Sequence, residues 1–303
     1  MSQDSSLLNS LQQAISSRIQ KGMTVFSLDQ PLPSHAPDFF SNDYLSLSTD
    51  CSLRDIFLHK VQAAAPSRLF GSRGSRLGTG GSAEFNALEK AFQQFFGAPS
   101  ALLFPSGFNA NFTFLASVPQ KNDVIVYDEL VHPSAREGIR LSSCASYRFA
   151  NSSVTSLKEC LVSVLQNYPQ VTHGTSTVFL LVESLYSMDG DFCPLVETVE
   201  LVESLVPAGH VHIIIDEAHT SGICGPTGTG YVSYLGLNER VHTKIHTLGK
   251  GWGYHGGTST CLCIMLILIL VLFRSCRPNL TDHKGLFDQF RKRRHVFDGD
   301  AIH

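Results

Sequence analysis

Four short segments hold no polar residue at all: ALLF (101–104), VIVY (124–127), VFLLV (178–182) and III (213–215). A strand with one wet face alternates polar and apolar residues, whereas a strand apolar at every position must be covered on both faces. Stretches with helical spacing follow the first two segments, NANFTFLASV and HPSAREGIRLSS. Strands alternating with helices build a mostly parallel sheet between helix layers, so the fold class is α/β. In such sheets ligands bind beyond the carboxyl ends of the strands.

The 303 residues allow roughly two domains at ~150 residues each. With 43% hydrophobic and 16% charged residues, the chain has enough apolar surface to form a globular core. A net charge of −3 supplies no attraction for nucleic acid or an anionic membrane. The basic run Arg291–Arg294 reads as a solvated surface. Eight cysteines lie scattered without a CxxC pair, which fits reduced thiols in an intracellular enzyme. Cytoplasm is the default compartment. Mitochondrial or peroxisomal delivery stays open, although Ala301-Ile302-His303 is no SKL-like signal.

Local patterns organise the rest. Leu7, Leu11, Ile15 and Ile19 recur every four residues, which predicts an amphipathic helix packed on the body. FFSNDYLSLS reads as a short strand running into a turn, and residues 71–82 as a glycine-rich loop. EFNALEKAFQQFF is a helix that Gly97 stops. Residues 261–273, CLCIMLILILVLF, are apolar throughout. A bilayer span needs about 20 residues, so a buried strand is favoured over a membrane anchor. An aberrant stretch of sequence is the third reading.

The residues able to do chemistry gather at strand ends. Ser106-Gly107 opens a helix after ALLF, which places backbone amides for an anion. Glu183 closes VFLLVE, with Ser187 and Asp189 just beyond, and Asp216 and His219 follow HIII. Lys250 lies in the glycine-rich segment THTLGKGWGYHGG. An aldehyde cofactor needs a lysine amine for its imine, a carboxylate beside its ring nitrogen and an anion site for its phosphate. All three are present.

Two rivals fail. DEAH at 216–219 resembles a helicase motif, but Lys250 is followed by Gly251 and preceded at 244 by lysine, so GxxxxGK[ST] is absent. His210-x-His212 and His242-x₃-His246 have ligand-like spacing without an accompanying motif such as HExxH, and no metal is expected.

The blocks SNDYLSLS (41–48), GSRGSRL (71–77), LFPSGFNAN (103–111), DELVHPSAREG (128–138), ESLYSMDGDFCPL (183–195), IIIDEAHTSGICGPTGTG (213–230) and HTLGKGWGYHGG (246–257) together resemble the α-oxoamine synthases. The resemblance implies a fold-type I pyridoxal-phosphate transferase with a seven-stranded-type sheet covered by helices. Its implied domains are an N-terminal helix and arm (1–45), a large pyridoxal-phosphate domain (46–257) and a divergent tail (258–303). It also implies roles. Lys250 forms the Schiff base and moves the α-proton, Asp216 pairs with the ring nitrogen, and His219 bonds near the ring hydroxyl. His132 stacks on the ring, while Ser106, Gly107, Phe108, Ser187 and Thr247 hold the cofactor. Asn42 faces the substrate.

The implied reaction is a decarboxylative condensation of an amino acid with an acyl-CoA, in a homodimer. SNDYLSL and GSRGSRL most resemble members that join L-alanine to pimeloyl-CoA in biotin synthesis. Members making 5-aminolevulinate, sphingoid bases or 2-amino-3-ketobutyrate are neighbours. The resemblance stops near Gly257, so the C-terminal small domain is expected to be largely missing. An inactive remnant that keeps only the cofactor-binding fold is the competing expectation.

Overall fold

The computed structural model describes residues 5–23, 37–64, 74–76, 78, 80–225 and 227–261. The apolar run from 262 onward and the basic run at 291–294 lie outside the described residues, as does most of the glycine-rich loop.

The chain divides into two units, residues 1–41 and 42–303. The first holds α1 (Ser6–Gln20), capped by Ser5, whose side chain accepts from the Leu8 N–H. Among the described residues of that unit nothing covers its stripe of Leu7, Leu11, Ile15 and Ile19, which is exposed.

The second unit begins with a turn and the 3-10 turn Leu47–Thr49, where a strand was expected. The cause is Asp43, whose carboxylate accepts from the Leu47 and Ser48 N–H groups at 3.0 and 3.1 Å and curls the chain. Then follow α2 (Cys51–Ala63), α3 (Ala83–Phe96), β1 (Ser100–Phe104), α4 (Gly107–Ser117), β2 (Val124–Asp128) and α5 (Pro133–Leu141). After these come β3 (Ala145–Phe149), α6 (Val154–Asn167), α7 (Pro169–Thr172), β4 (Val178–Glu183) and α8 (Leu195–Leu205). The described chain closes with β5 (Val211–Asp216), α9 (Tyr231–Tyr234), β6 (Thr243–Thr247) and β7 (Gly257–Cys261).

Among the described residues the sheet has the order β1-β7-β6-β5-β4-β2-β3. Strands β2 to β6 pair in parallel, and β7 lies antiparallel to both β6 and β1. Two reversals restore direction, so β1 runs with the parallel set. The carboxyl ends of β1, β4, β5 and β6 therefore share one edge. The sheet runs through Cys261, past the boundary at 257 expected from sequence.

The unbroken apolar strands have the physical cause the sequence suggests. Val124, Val126, Leu180, Val182, Ile213 and Ile215 pack with Leu157 and Leu161 of α6 and Val199 and Val202 of α8. The alternate residues Ile125, Phe179, Leu181 and Ile214 pack with Phe114 and Leu115 of α4 and Ile139 of α5. Both faces are dry.

Candidate active site

The last rung of β4 and β5 sets Glu183 opposite Asp216. Both are buried. Asp216 Oδ1 accepts from the Ala218 N–H at 2.9 Å, and Oδ2 from Asn111 Nδ2 at 2.6 Å. The carboxylate is thus held from its own turn and from α4. Burial, and then the Asp216 carboxylate, push the Glu183 carboxyl up to about 8. Glu183 Oε1 accepts the backbone N–H of His132 at 2.5 Å.

His132 is the N-cap of α5, with Pro133 as the first helical residue. Its Nδ1 accepts from the Ser134 N–H at 3.2 Å and lies 2.7 Å from Ser134 Oγ. Phe108 stands edge-on to the imidazole, centroids 6.2 Å apart. Burial lowers the pKa of His132.

Lys250 follows β6 in a turn. Burial lowers its pKa, while Asp216 and Glu183 pull the other way. Nζ lies 2.7 Å from His219 Nε2. Burial, and then the Lys250 charge, bring the His219 imidazole down to about 4. A lysine with a lowered pKa has a larger neutral fraction to act as a nucleophile.

The anion-binding end is built by α4. Ser106 caps it, Oγ accepting from the Asn109 N–H at 3.1 Å. The first N–H groups of the helix, at Gly107 and Phe108, have no helical carbonyl to bond and sit at the positive end of the dipole. A Cβ on Gly107 would fall on Thr247 Oγ1, so glycine is what lets the helix start close against β6.

One cavity of about 200 Å³ collects Ser106, Gly107, Phe108 and His132 with Asp216, His219, Thr247 and Lys250. Asn42 and Ser187 are not among its lining residues. Ser187 is exposed in the turn after β4. Asn42 is exposed, and its Oδ1 accepts from the Tyr44 hydroxyl at 3.2 Å. Sequence reasoning gave no role to Glu183, Asn111 or His255, which also line the cavity. The signal for Asn111 was its place one helical turn beyond Gly107.

The donor set fits pyridoxal phosphate: an amine, a buried carboxylate held by two donors, and a capped helix start. One further polar atom, Asn111 Oδ1, is buried without a partner beside that carboxylate. Among the described residues no group of His, Cys, Asp or Glu is arranged to hold a metal ion. The spaced histidines serve the core: His212 Nε2 lies 2.8 Å from Thr243 Oγ1, His242 Nδ1 accepts from the Ile213 N–H, and His246 stacks on Phe96. No described helix is long and apolar enough to cross a membrane.

Residues 38–275 match the family model for aminotransferase class I and II. The chain is 46% identical over 231 residues to an 8-amino-7-oxononanoate synthase of Emericella nidulans, covering 76% of this chain and 56% of that protein. It is 40% identical over 216 residues to an aminoacyl transferase sphA of Byssochlamys spectabilis, covering 71% and 46%. The chain thus spans about half the length of the curated relatives it matches. A serine palmitoyltransferase variant of S. paucimobilis, solved with a bound PLP–myriocin aldimine, superposes with a TM-score of 0.72 at 22% identity, covering 91% of this chain and 68% of that one. At that identity the likeness is one of fold.

Proposed function

The chain belongs to the aminotransferase class I and II family, and from that premise we propose that it is the cofactor-binding part of a pyridoxal-phosphate-dependent C-acyltransferase. The favoured reaction condenses L-alanine with pimeloyl-CoA, releasing CoA and CO₂ and giving 8-amino-7-oxononanoate. The observation that carries the reading is the convergence of Lys250, Asp216 and the start of α4 on one cavity. The choice of substrates rests on the 46% identity to the Emericella enzyme. The 40% identity to the sphA transferase keeps a sphingoid-type acyl transfer as the second reading.

Bound pyridoxal phosphate supplies an aldehyde for amines and a protonated ring that draws electrons from a neighbouring carbon. Lys250 Nζ would hold the aldehyde, and Asp216 would keep the ring nitrogen protonated. The N–H groups of α4, with Ser106 and Thr247, would take the phosphate. His132 would cover one face of the ring, with His219 near its hydroxyl. Lys250 Nζ would also serve as the general base toward the α-proton of the amino acid, a role its lowered pKa suits. Cytoplasm is the proposed compartment, and a homodimer the proposed assembly.

The test is release of free thiol from acyl-CoA in the presence of each amino acid. Thiol release with L-alanine and pimeloyl-CoA, absent with serine and palmitoyl-CoA, supports the favoured reaction. The reverse pattern favours the second reading.

A further inference from the structure

The block SNDYLSLS contains a residue to which neither fold nor chemistry has yet given a purpose. Tyr44 Oη lies 2.6 Å from His219 Nδ1, on the side of the ring opposite Lys250. The groups form a line: Lys250 Nζ, His219 Nε2 at 2.7 Å, His219 Nδ1, Tyr44 Oη at 2.6 Å, and Asn42 Oδ1 at 3.2 Å. We infer that Tyr44 is a positioning residue for Lys250, acting through His219 by fixing which ring nitrogen carries the proton.

A neutral imidazole has one donor nitrogen and one acceptor, and a tyrosine hydroxyl can do either. An ammonium only donates, and an amide oxygen only accepts. With those two ends fixed, a single polarity satisfies every group. Lys250 donates to Nε2, the Nδ1–H donates to Tyr44, and Tyr44 donates to Asn42. A doubly protonated ring would set an N–H against the ammonium, and the His219 pKa of about 4 agrees with a neutral ring. Burial raises the pKa of Tyr44, which keeps its hydrogen on the hydroxyl.

The position of Tyr44 is built in. Asp43 pins the following turn, accepting also from Ser48 Oγ at 2.6 Å. That turn fits against the lysine loop. A Cβ on Gly253, which has φ of 61°, would come within 2.7 Å of Leu47 Cβ, and one on Gly251 within 3.7 Å of Tyr44 Cδ2. Without the hydroxyl, the part-buried Nδ1–H has no acceptor among the described residues. The ring then gains by moving its proton to Nε2, where it faces the lysine and no longer accepts from it.

This inference rests on the proposed role of Lys250, so its test is read without cofactor. In ¹⁵N-labelled chain, long-range ¹H–¹⁵N spectra report the tautomer of each histidine, and a His219→Gln variant assigns the signal. The wild type is expected to show His219 protonated at Nδ1 at neutral pH. Tyr44→Phe, which keeps the ring, is expected to shift the population toward Nε2–H with no change in melting temperature. An Nε2–H wild type overturns the inference whether or not the variant folds, and so does an unmoved tautomer in folded Tyr44→Phe. Failure of the wild type to form an imine with pyridoxal phosphate would overturn the functional reading alone.

Discussion

Strands β4 and β5 carry two very different rungs three residues apart. Leu180 opposes Ile213 in the middle of the sheet, both fully buried among apolar side chains. Glu183 opposes Asp216 at the end, two carboxyls buried side by side. The first rung satisfies every rule for a stable core. The second buries two acids, which is tolerated because burial pushes the Glu183 carboxyl up to about 8 and Asp216 is held by two N–H donors near Lys250. At the second rung the cover changes from apolar to polar: Asn111 of α4, His132 capping α5 and Lys250 surround a cavity. The end rung thus places a buried carboxylate, Asp216, at the cavity wall.

That contrast can be broken from either side. Ile213→Ala should cost the cofactor-free chain about 2–5 kcal/mol in denaturant unfolding, since it opens a void in a core with no slack. Any cofactor affinity left in folded molecules should be unchanged. Asp216→Asn should do the opposite. It relieves the like-charge contact, so stability holds or rises, while affinity for pyridoxal phosphate falls on the order of 10–100-fold through loss of a charge-assisted bond. Equal losses of stability in the two variants would erase the distinction between the rungs.

The smallest effect is the most diagnostic. Folding raises the Glu183 pKa from 4.5 to about 8, so the folded chain binds the proton more tightly than the unfolded one. The stabilisation is complete below about 4.5 and is lost as pH climbs toward 8. Glu183→Gln removes this dependence. Its stability relative to wild type should grow across that window, by on the order of 1–3 kcal/mol, in melting curves of cofactor-free protein. A difference independent of pH would mean that Glu183 is charged throughout.

The legible parts of the sequence were those where one force dominates. Continuous apolar runs announced β2, β4 and β5, and the parallel order sets Glu183 and Asp216 side by side at the carboxyl ends of the last two. Strand β3 was missed because it is an edge strand whose Ser146 and Arg148 face solvent. Strand β7, GTSTC, was missed for a different reason. Its small polar residues are wholly buried between two strands, and no hydropathy pattern distinguishes them from a loop. Of the residues the blocks singled out, Lys250, Asp216 and His132 line the cavity, and Asn42 and Ser187 fall outside its lining. Which side of a turn a residue faces is set by captures such as that of Asp43, and spacing does not carry that information.

The central claim is that Lys250 is the amine that holds the cofactor. The direct measurement is the visible absorbance of the purified chain with pyridoxal phosphate, beside Lys250→Ala. An imine band in the wild type that is absent from the equally folded variant, and perturbed by L-alanine, is the predicted result. No band in folded wild type, or the same band in Lys250→Ala, would contradict it.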